Sequence, residues 1–238
     1  MTDMQKNPPY HDRESKAKFV FEKYKDLLVG RVLDVGADQC YLKKYLGNDV
    51  QYTGVGFGDG RDIINLDLEK ERLPFPDGSF DCVLCLDVLE HLEKIHEVFD
   101  ELCRVSSEWV IVSFPNPYRC FFQFLTQDKC GQDANLKFYG LPKEREADRH
   151  RWFFSFSEAK DFVLYRAGKN GFETADVFVE GLREEDLLNR RATGKIKRFL
   201  SRLMKRGPRL RRDFHLPDVL AGTSWFVMKK LQSKHNER

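Results

Sequence analysis

A single α/β domain, with a mostly parallel sheet of about seven strands and helices on both faces, is the architecture this sequence predicts. Three observations lead there. Short apolar runs of strand length alternate with stretches of helical spacing along most of the chain. The runs RVLDV, SFDCVLCL and WVIVSF are apolar through most of their length, the pattern of strands covered on both sides. Right-handed crossovers through the intervening segments then make successive strands parallel.

The elements follow in order. Asn7, Pro8 and Pro9 interrupt regular structure, so residues 1–12 are expected to be a loose arm. Helical spacing begins near Glu14; Phe19, Val20, Tyr24 and Leu27 form a mixed apolar face that ends before Gly30. RVLDV is the first strand, followed by a turn and a helix over CYLKKYL. VQYTGV is the second strand, DIINLD a short third and SFDCVLCL a fourth, from which a helix runs from about Glu90 to Cys103. WVIVSF, Trp109 to Phe114, is the fifth strand, and Pro115-Asn116-Pro117 stops it.

A long excursion over about 115–150 comes next. A helix over Ser157 to Ala167, capped near Ser157, ends at Gly168 to Gly171. FETADVFV is a sixth strand, a basic excursion covers 181–217, and GTSWFVMKK is a last, antiparallel strand. Residues 13–230 are thus one domain, with a flexible tail at 231–238.

The composition suits an ordinary globular protein, with 41% hydrophobic and 33% charged residues in a chain of 238. Many of its 20 phenylalanines lie between Phe114 and Phe162, as core or as pocket wall. The six cysteines show no paired metal-ligand spacing, and no metal site is expected from them. Cys82 and Cys85 fall in a strand, where alternation turns them to opposite faces as packing thiols. No apolar stretch has the length of a membrane span and the polar start lacks a signal-peptide core, so a cytoplasmic location is expected.

A net charge of +2 does not by itself imply nucleic acid. Its distribution is uneven, however: Arg190 to Arg212 holds eleven Lys or Arg and no Asp or Glu. That block suits phosphates, as in RNA, or the inner face of an anionic membrane through Ile196, Phe199, Leu200, Leu203 and Met204, and is equally consistent with a solvated face.

Chemistry is expected at the carboxyl ends of the parallel strands. The first strand ends in Asp34, Val35, Gly36 and Ala37, where Gly36 lets the backbone approach a ligand closely. The dinucleotide fingerprint G-x-G-x-x-G is absent. More specific is Leu73-Pro74-Phe75-Pro76-Asp77-Gly78-Ser79-Phe80-Asp81, followed by Val88-Leu89-Glu90-His91-Leu92.

With VLDVG, LPFPDGSFD and VLEHL in this order, the chain resembles the class I S-adenosylmethionine-dependent methyltransferases, closely over about residues 30–115. The resemblance implies a Rossmann-like fold and S-adenosyl-L-methionine as cofactor. It implies that Asp34 holds the methionine amino group, that Gly36 and Ala37 form the cofactor loop, that Asp67 and Leu68 meet the adenine, and that Leu86, Asp87 and Val88 form a wall. Two departures stand out. Asp38 and Cys40 replace later glycines of the loop and make it less permissive, and Gly56 occupies the place of the acid that receives the ribose hydroxyls. Asp59 or Asp62 would then swing in, unless both are solvated turn residues.

Methyl transfer from a sulfonium relies on alignment, and a hydroxyl acceptor is helped by a base. His150 and His91 are the candidate catalytic residues; His91 otherwise braces the sheet. Asn116, Tyr118 and Arg119 after the fifth strand, and Arg149 and Arg151 beside His150, are candidate substrate contacts; the two last arginines otherwise pair with Glu144, Glu146 and Asp148. The strings YGLP and DRHRWFFSFSEA are similar to methyltransferases of bacterial surface-polysaccharide assembly, which implies O-methylation of a sugar or glycan hydroxyl. RNA or another small molecule is the alternative acceptor. A noncatalytic interaction protein on a methyltransferase fold is the alternative to an enzyme, motivated by Gly56 and the altered loop.

Overall fold

The computed structural model describes residues 10–57, 63–126, 144, 149–181, 218 and 221–232. Seven strands form one sheet: β1 Arg31–Val35, β2 Gln51–Gly56, β3 Ile63–Asn65, β4 Phe80–Leu86, β5 Ser106–Phe114, β6 Phe172–Val179 and β7 Ser224–Lys230, in the order β3-β2-β1-β4-β5-β7-β6. The first five are parallel, and β7 runs antiparallel to both β5 and β6. This is the Rossmann-like methyltransferase architecture that the sequence predicts. From β1 the chain builds outward to β2 and β3, then returns to add β4 and β5 on the other side. The order therefore reverses beside β1, and the crevice that ligands occupy in such sheets opens there.

The helices are α1 Arg13–Tyr24, α2 Ile95–Val105, α3 Pro117–Thr126 and α4 Phe156–Lys169. Ile95, Val98, Phe99, Leu102 and Val105 of α2 follow helical spacing and are all buried against the sheet. Each such side chain contributes about 1.5–3 kcal/mol by leaving water. Beneath them β4 alternates as predicted: Val83 and Cys85 join that core, while Cys82 and Leu84 join the one under α1. Both cysteines are buried free thiols.

Three boundaries differ from expectation. The helix over CYLKKYL is only a 3₁₀ turn, Tyr41–Lys44, because Cys40 enters it in the left-handed conformation at φ +54°. The helix from Glu90 is interrupted: a 3₁₀ turn covers Leu89–His91, Leu92 is extended, and α2 starts at Ile95. The cap of α4 is Ser155, not Ser157; its side chain accepts from the Glu158 N–H while Glu158 accepts from the Ser155 N–H.

At the N-terminus, Asp12 caps α1 through a reciprocal pair with Ser15. Tyr10 is held as well, its hydroxyl donating to buried Glu180 and its ring lying against Phe19 and Trp225. Residues 1–9 of the expected arm, most of both excursions and the basic segment 190–212 lie outside the described residues. No helix among the described residues is long and apolar enough to cross a membrane.

Candidate functional site

A cleft of about 890 Å³ opens at the carboxyl ends of β1, β2 and β4, with α1 along one side. Its floor is made by two strand ends that nearly touch. The N–H groups of Gly36 and Ala37 both donate to the Val55 carbonyl, at 2.7 and 3.2 Å. Gly36 sits at φ +83°, and a Cβ there would lie 2.2 Å from Cγ2 of Val88. A Cβ on Gly56 would lie 3.3 Å from the Gly36 backbone, so β2 also passes close to the Gly36 loop at the residue after Val55. Asp38 and Cys40, which stand where the resemblance leads one to expect glycines, both adopt left-handed backbone at φ +49° and +54°. Such conformations cost a non-glycine residue about 1–2 kcal/mol each.

Asp34 faces this cleft from β1, and the hydroxyl of Tyr52 on the neighbouring strand donates to its Oδ2 at 2.8 Å. Burial pushes the Asp34 carboxyl up to about 6, against the opposing influence of the Tyr52 hydrogen bond and the Lys16 ammonium.

Asp87 closes β4 in the left-handed region, at φ +54°. Its Oδ1 accepts from the Ser113 hydroxyl at 2.6 Å, its N–H donates to the Ser113 carbonyl, and its Oδ2 takes the ammonium of Lys16 from α1. Burial works to raise this carboxyl, but Lys16 and Ser113 outweigh it and hold Asp87 below the ordinary range. The expected wall is therefore an ion-paired strand end.

The 3₁₀ turn after β4 supplies the other pole of the cleft. Glu90 is fully buried, and His91 Nε2 stands 3.6 Å from its Oε1. The segment carrying His150 is tied to this turn by the Arg151 N–H, which donates to the Glu90 carbonyl at 2.7 Å. His91 and His150 consequently meet edge to face, with ring centroids 4.4 Å apart.

Asp34, Gly36, Ala37, Gly56, Leu68, Asp87, His91, His150 and Arg151 all line the cleft. Asp67 does not. It is turned to Lys70, 2.7 Å away, and accepts the Glu69 N–H, so it closes a local turn; hydrogen bonding from Lys70 keeps its carboxyl low. Glu69 lines the cleft in its stead. Asp59 and Asp62 lie outside the described residues.

Among the expected substrate contacts, Asn116 is buried and caps α3, its Oδ1 accepting from the N–H groups of Tyr118 and Arg119 at 2.9 and 3.3 Å. Arg119 lies against Gly181 and Gly222, and Arg149 is not part of the cleft lining. Tyr118 packs edge to face on exposed Phe153, with centroids 4.7 Å apart. Arg151 reaches Glu93 at 3.1 Å.

Sequence reasoning missed the contribution of α1. Arg13, Lys16, Ala17 and Val20 line the cleft, and Arg13 pairs with Asp38 of the loop. The available signal was the D-x-x-S cap, which sets the start of α1 and so places Lys16 in its first turn. Exposed Phe57, next to Gly56, was also missed.

A family described as a methyltransferase domain matches residues 31–109. No curated protein matches the chain. Solved structures of the same fold include an S-adenosylmethionine-dependent methyltransferase from Archaeoglobus fulgidus, 15% identical with a TM-score of 0.54, covering 91% of this chain and 94% of that one. A Bacillus halodurans protein assigned as a methyltransferase is 16% identical with a TM-score of 0.52, covering 92% and 100%. The [4+2]-cyclase SpnF is 15% identical with a TM-score of 0.51, covering 92% and 81%. These likenesses show the fold, and the methyltransferase-domain match, which runs over residues 31–109 from β1 into β5, together with that fold supports an S-adenosylmethionine-dependent methyltransferase.

Proposed function

We propose that this enzyme methylates a hydroxyl oxygen, and that the hydroxyl belongs to a sugar or glycan. The observation that carries the reading is that a carboxylate suited to the cofactor's amino group and a pair of imidazoles suited to an acceptor's proton share one cleft.

The residues present fit the cofactor. Gly36 and Gly56 present bare backbone to the cleft, and Asp34 offers a carboxylate beside them. Leu66, Leu68 and Phe57 supply apolar surface for a flat base, while Glu69 beside Leu68 is the acid available to polar edges in place of Asp67. The ribose hydroxyls find no acid at Gly56, and Asp38 is a loop acid that lines the cleft.

S-adenosylmethionine, held by these residues, would supply an electrophilic methyl carbon to an acceptor oxygen, with its sulfur as the leaving group. The chain's own work is alignment and proton handling. Asp34, steadied by Tyr52, holds one end of the cleft; His150 and His91 at the other take the acceptor's proton, and Arg151 steadies the His150 segment through Glu90. The exposed Tyr118–Phe153 pair, beyond Pro115 of the cleft lining, offers aromatic faces suited to a sugar ring.

Calorimetric titration with S-adenosylhomocysteine, followed by a panel of sugar, glycan, RNA and small-molecule acceptors scored by S-adenosylhomocysteine release, tests this. Saturable binding lost in Asp34→Ala, with the new methyl found on a sugar oxygen by mass spectrometry, is the expected result. Methylation of nitrogen or of RNA would overturn the acceptor assignment.

A further inference from the structure

The corner formed by Glu90, His91 and His150 has a composition that proton transfer alone does not require. One carboxylate and two imidazoles converge from two segments separated by 58 intervening residues, and one ligand atom from each lies within 4.8 Å of the others. Around a zinc-like ion, with metal–ligand distances of about 2.0–2.2 Å, donors stand roughly 3.4 Å apart, so modest side-chain rotations close the set. The backbone is already fastened for this. The Arg151 N–H to Glu90 carbonyl bond at 2.7 Å holds the two segments together, and Arg151 Nε approaches the His91 carbonyl.

We propose that Glu90, His91 and His150 bind a divalent transition-metal ion at the acceptor end of the cleft. Two imidazoles and one carboxylate suit ions of the Mn²⁺ to Zn²⁺ series better than the all-oxygen shells preferred by Mg²⁺ or Ca²⁺. Three protein donors on a cleft wall leave coordination positions for water or for a substrate oxygen. The Glu90 carboxyl is fully buried, and one of its oxygens lies within 4.8 Å of a ring nitrogen of each imidazole. Asp87, whose carboxylate interacts with His150, adds a second negative group beside the cluster.

The ion's role rests on the hydroxyl-methylation reading; its binding does not. A hydroxyl coordinated to the ion has a lowered pKa, and its proton leaves to solvent while its oxygen pair remains directed into the cleft. With the ion bound the imidazoles hold it as neutral ligands; in the metal-free enzyme the same imidazoles receive the acceptor's proton themselves. Vicinal hydroxyls of a sugar can occupy two open positions at once, which would select such acceptors.

The test is titration of tag-free, chelator-treated protein with Co²⁺, read by visible absorption and by competition with Zn²⁺. The expected result is saturation at one equivalent, with affinity weakened by more than about tenfold in His150→Gln and in Glu90→Gln. His96→Ala, on the exposed face of α2, should leave it unchanged. His150 is partly exposed, so His150→Gln keeps the test valid if Glu90→Gln fails to fold; circular dichroism identifies that failure. Absence of saturable Co²⁺ binding, or binding that His150→Gln leaves intact, would overturn the proposal. Parallel titration with S-adenosylhomocysteine separates the two readings. Cofactor binding without metal binding leaves the methyl-transfer reading standing and removes the ion, whereas metal binding without cofactor binding does the reverse.

Discussion

Lys16, in the first turn of α1, donates to the carboxylate of Asp87 at the end of β4. The ammonium lies 4.9 Å from the centroid of the Trp225 ring, on β7, so one side chain joins the N-terminal helix, the middle of the sheet and its antiparallel side. The pair stands on the cleft wall with only 15% of the Lys16 side chain exposed.

Lys16→Met should therefore destabilise the fold by roughly 1–3 kcal/mol, because it leaves the charge of Asp87 without its partner in a partly desolvated setting. Urea denaturation measures this. A Lys16→Met, Asp87→Asn double variant should recover part of the loss; full additivity of the two losses would show that the pair is not coupled.

Asp34 gives a pH signature. Its carboxyl titrates at about 6 in the folded chain, above the ordinary 3.8, so the folded state binds the proton more tightly than the unfolded state does. Its contribution to stability is fully present below about pH 3.8 and is lost as pH rises through about 6, on the order of 2–3 kcal/mol in all. Asp34→Asn should accordingly gain stability relative to wild type at pH 7.5 and little at pH 4. Binding of S-adenosylhomocysteine, which needs the carboxylate, should strengthen between pH 5 and 7 in wild type and lose that dependence in the variant. Tyr52→Phe, which removes the bond to the charged form, should move the binding transition to higher pH.

Gly36→Ala should cost roughly 2–5 kcal/mol, since the new methyl meets Val88 at 2.2 Å in a backbone conformation that L-residues disfavour. Gly56→Asp, which restores the acid that the resemblance leads one to expect, should cost about 1–3 kcal/mol and bring no gain in S-adenosylhomocysteine affinity. Tighter binding by Gly56→Asp would mean that the two strand ends separate easily.

Arg104 shows what the most recognisable segment does. It donates to the carbonyls of Leu73 and Phe75 and to the carboxylates of Asp77 and Glu101, tying LPFPDGSF to α2. Leu73 and Phe80 are buried, and Phe75 stands edge to face on Phe80 at 4.8 Å. Arg104→Met should lower stability by about 2–4 kcal/mol by stranding these acceptors, while S-adenosylhomocysteine affinity stays essentially unchanged. A large affinity loss at preserved stability would instead tie this loop to the cleft.

The sequence by itself determined the sheet and its order of elements, because strands covered on both faces must be apolar throughout and the crossover rule leaves few ways to connect them. It also determined which strand ends line the cleft: Asp34 and Gly36 are two residues apart in the chain, and parallel strands place such neighbours at one edge. Side-chain direction within turns was another matter. Asp67 and Leu68 are consecutive, yet one turns to Lys70 and the other to the cleft, a choice made by a local turn that periodicity does not encode. Only the tertiary structure decided that Lys16 crosses to Asp87, and that His150 meets His91 and Glu90. Those groups are 71 and about 60 residues apart in the chain, and their meeting depends on how α1 and the 149–152 segment pack across strand ends, a long-range packing outcome that no local spacing carries.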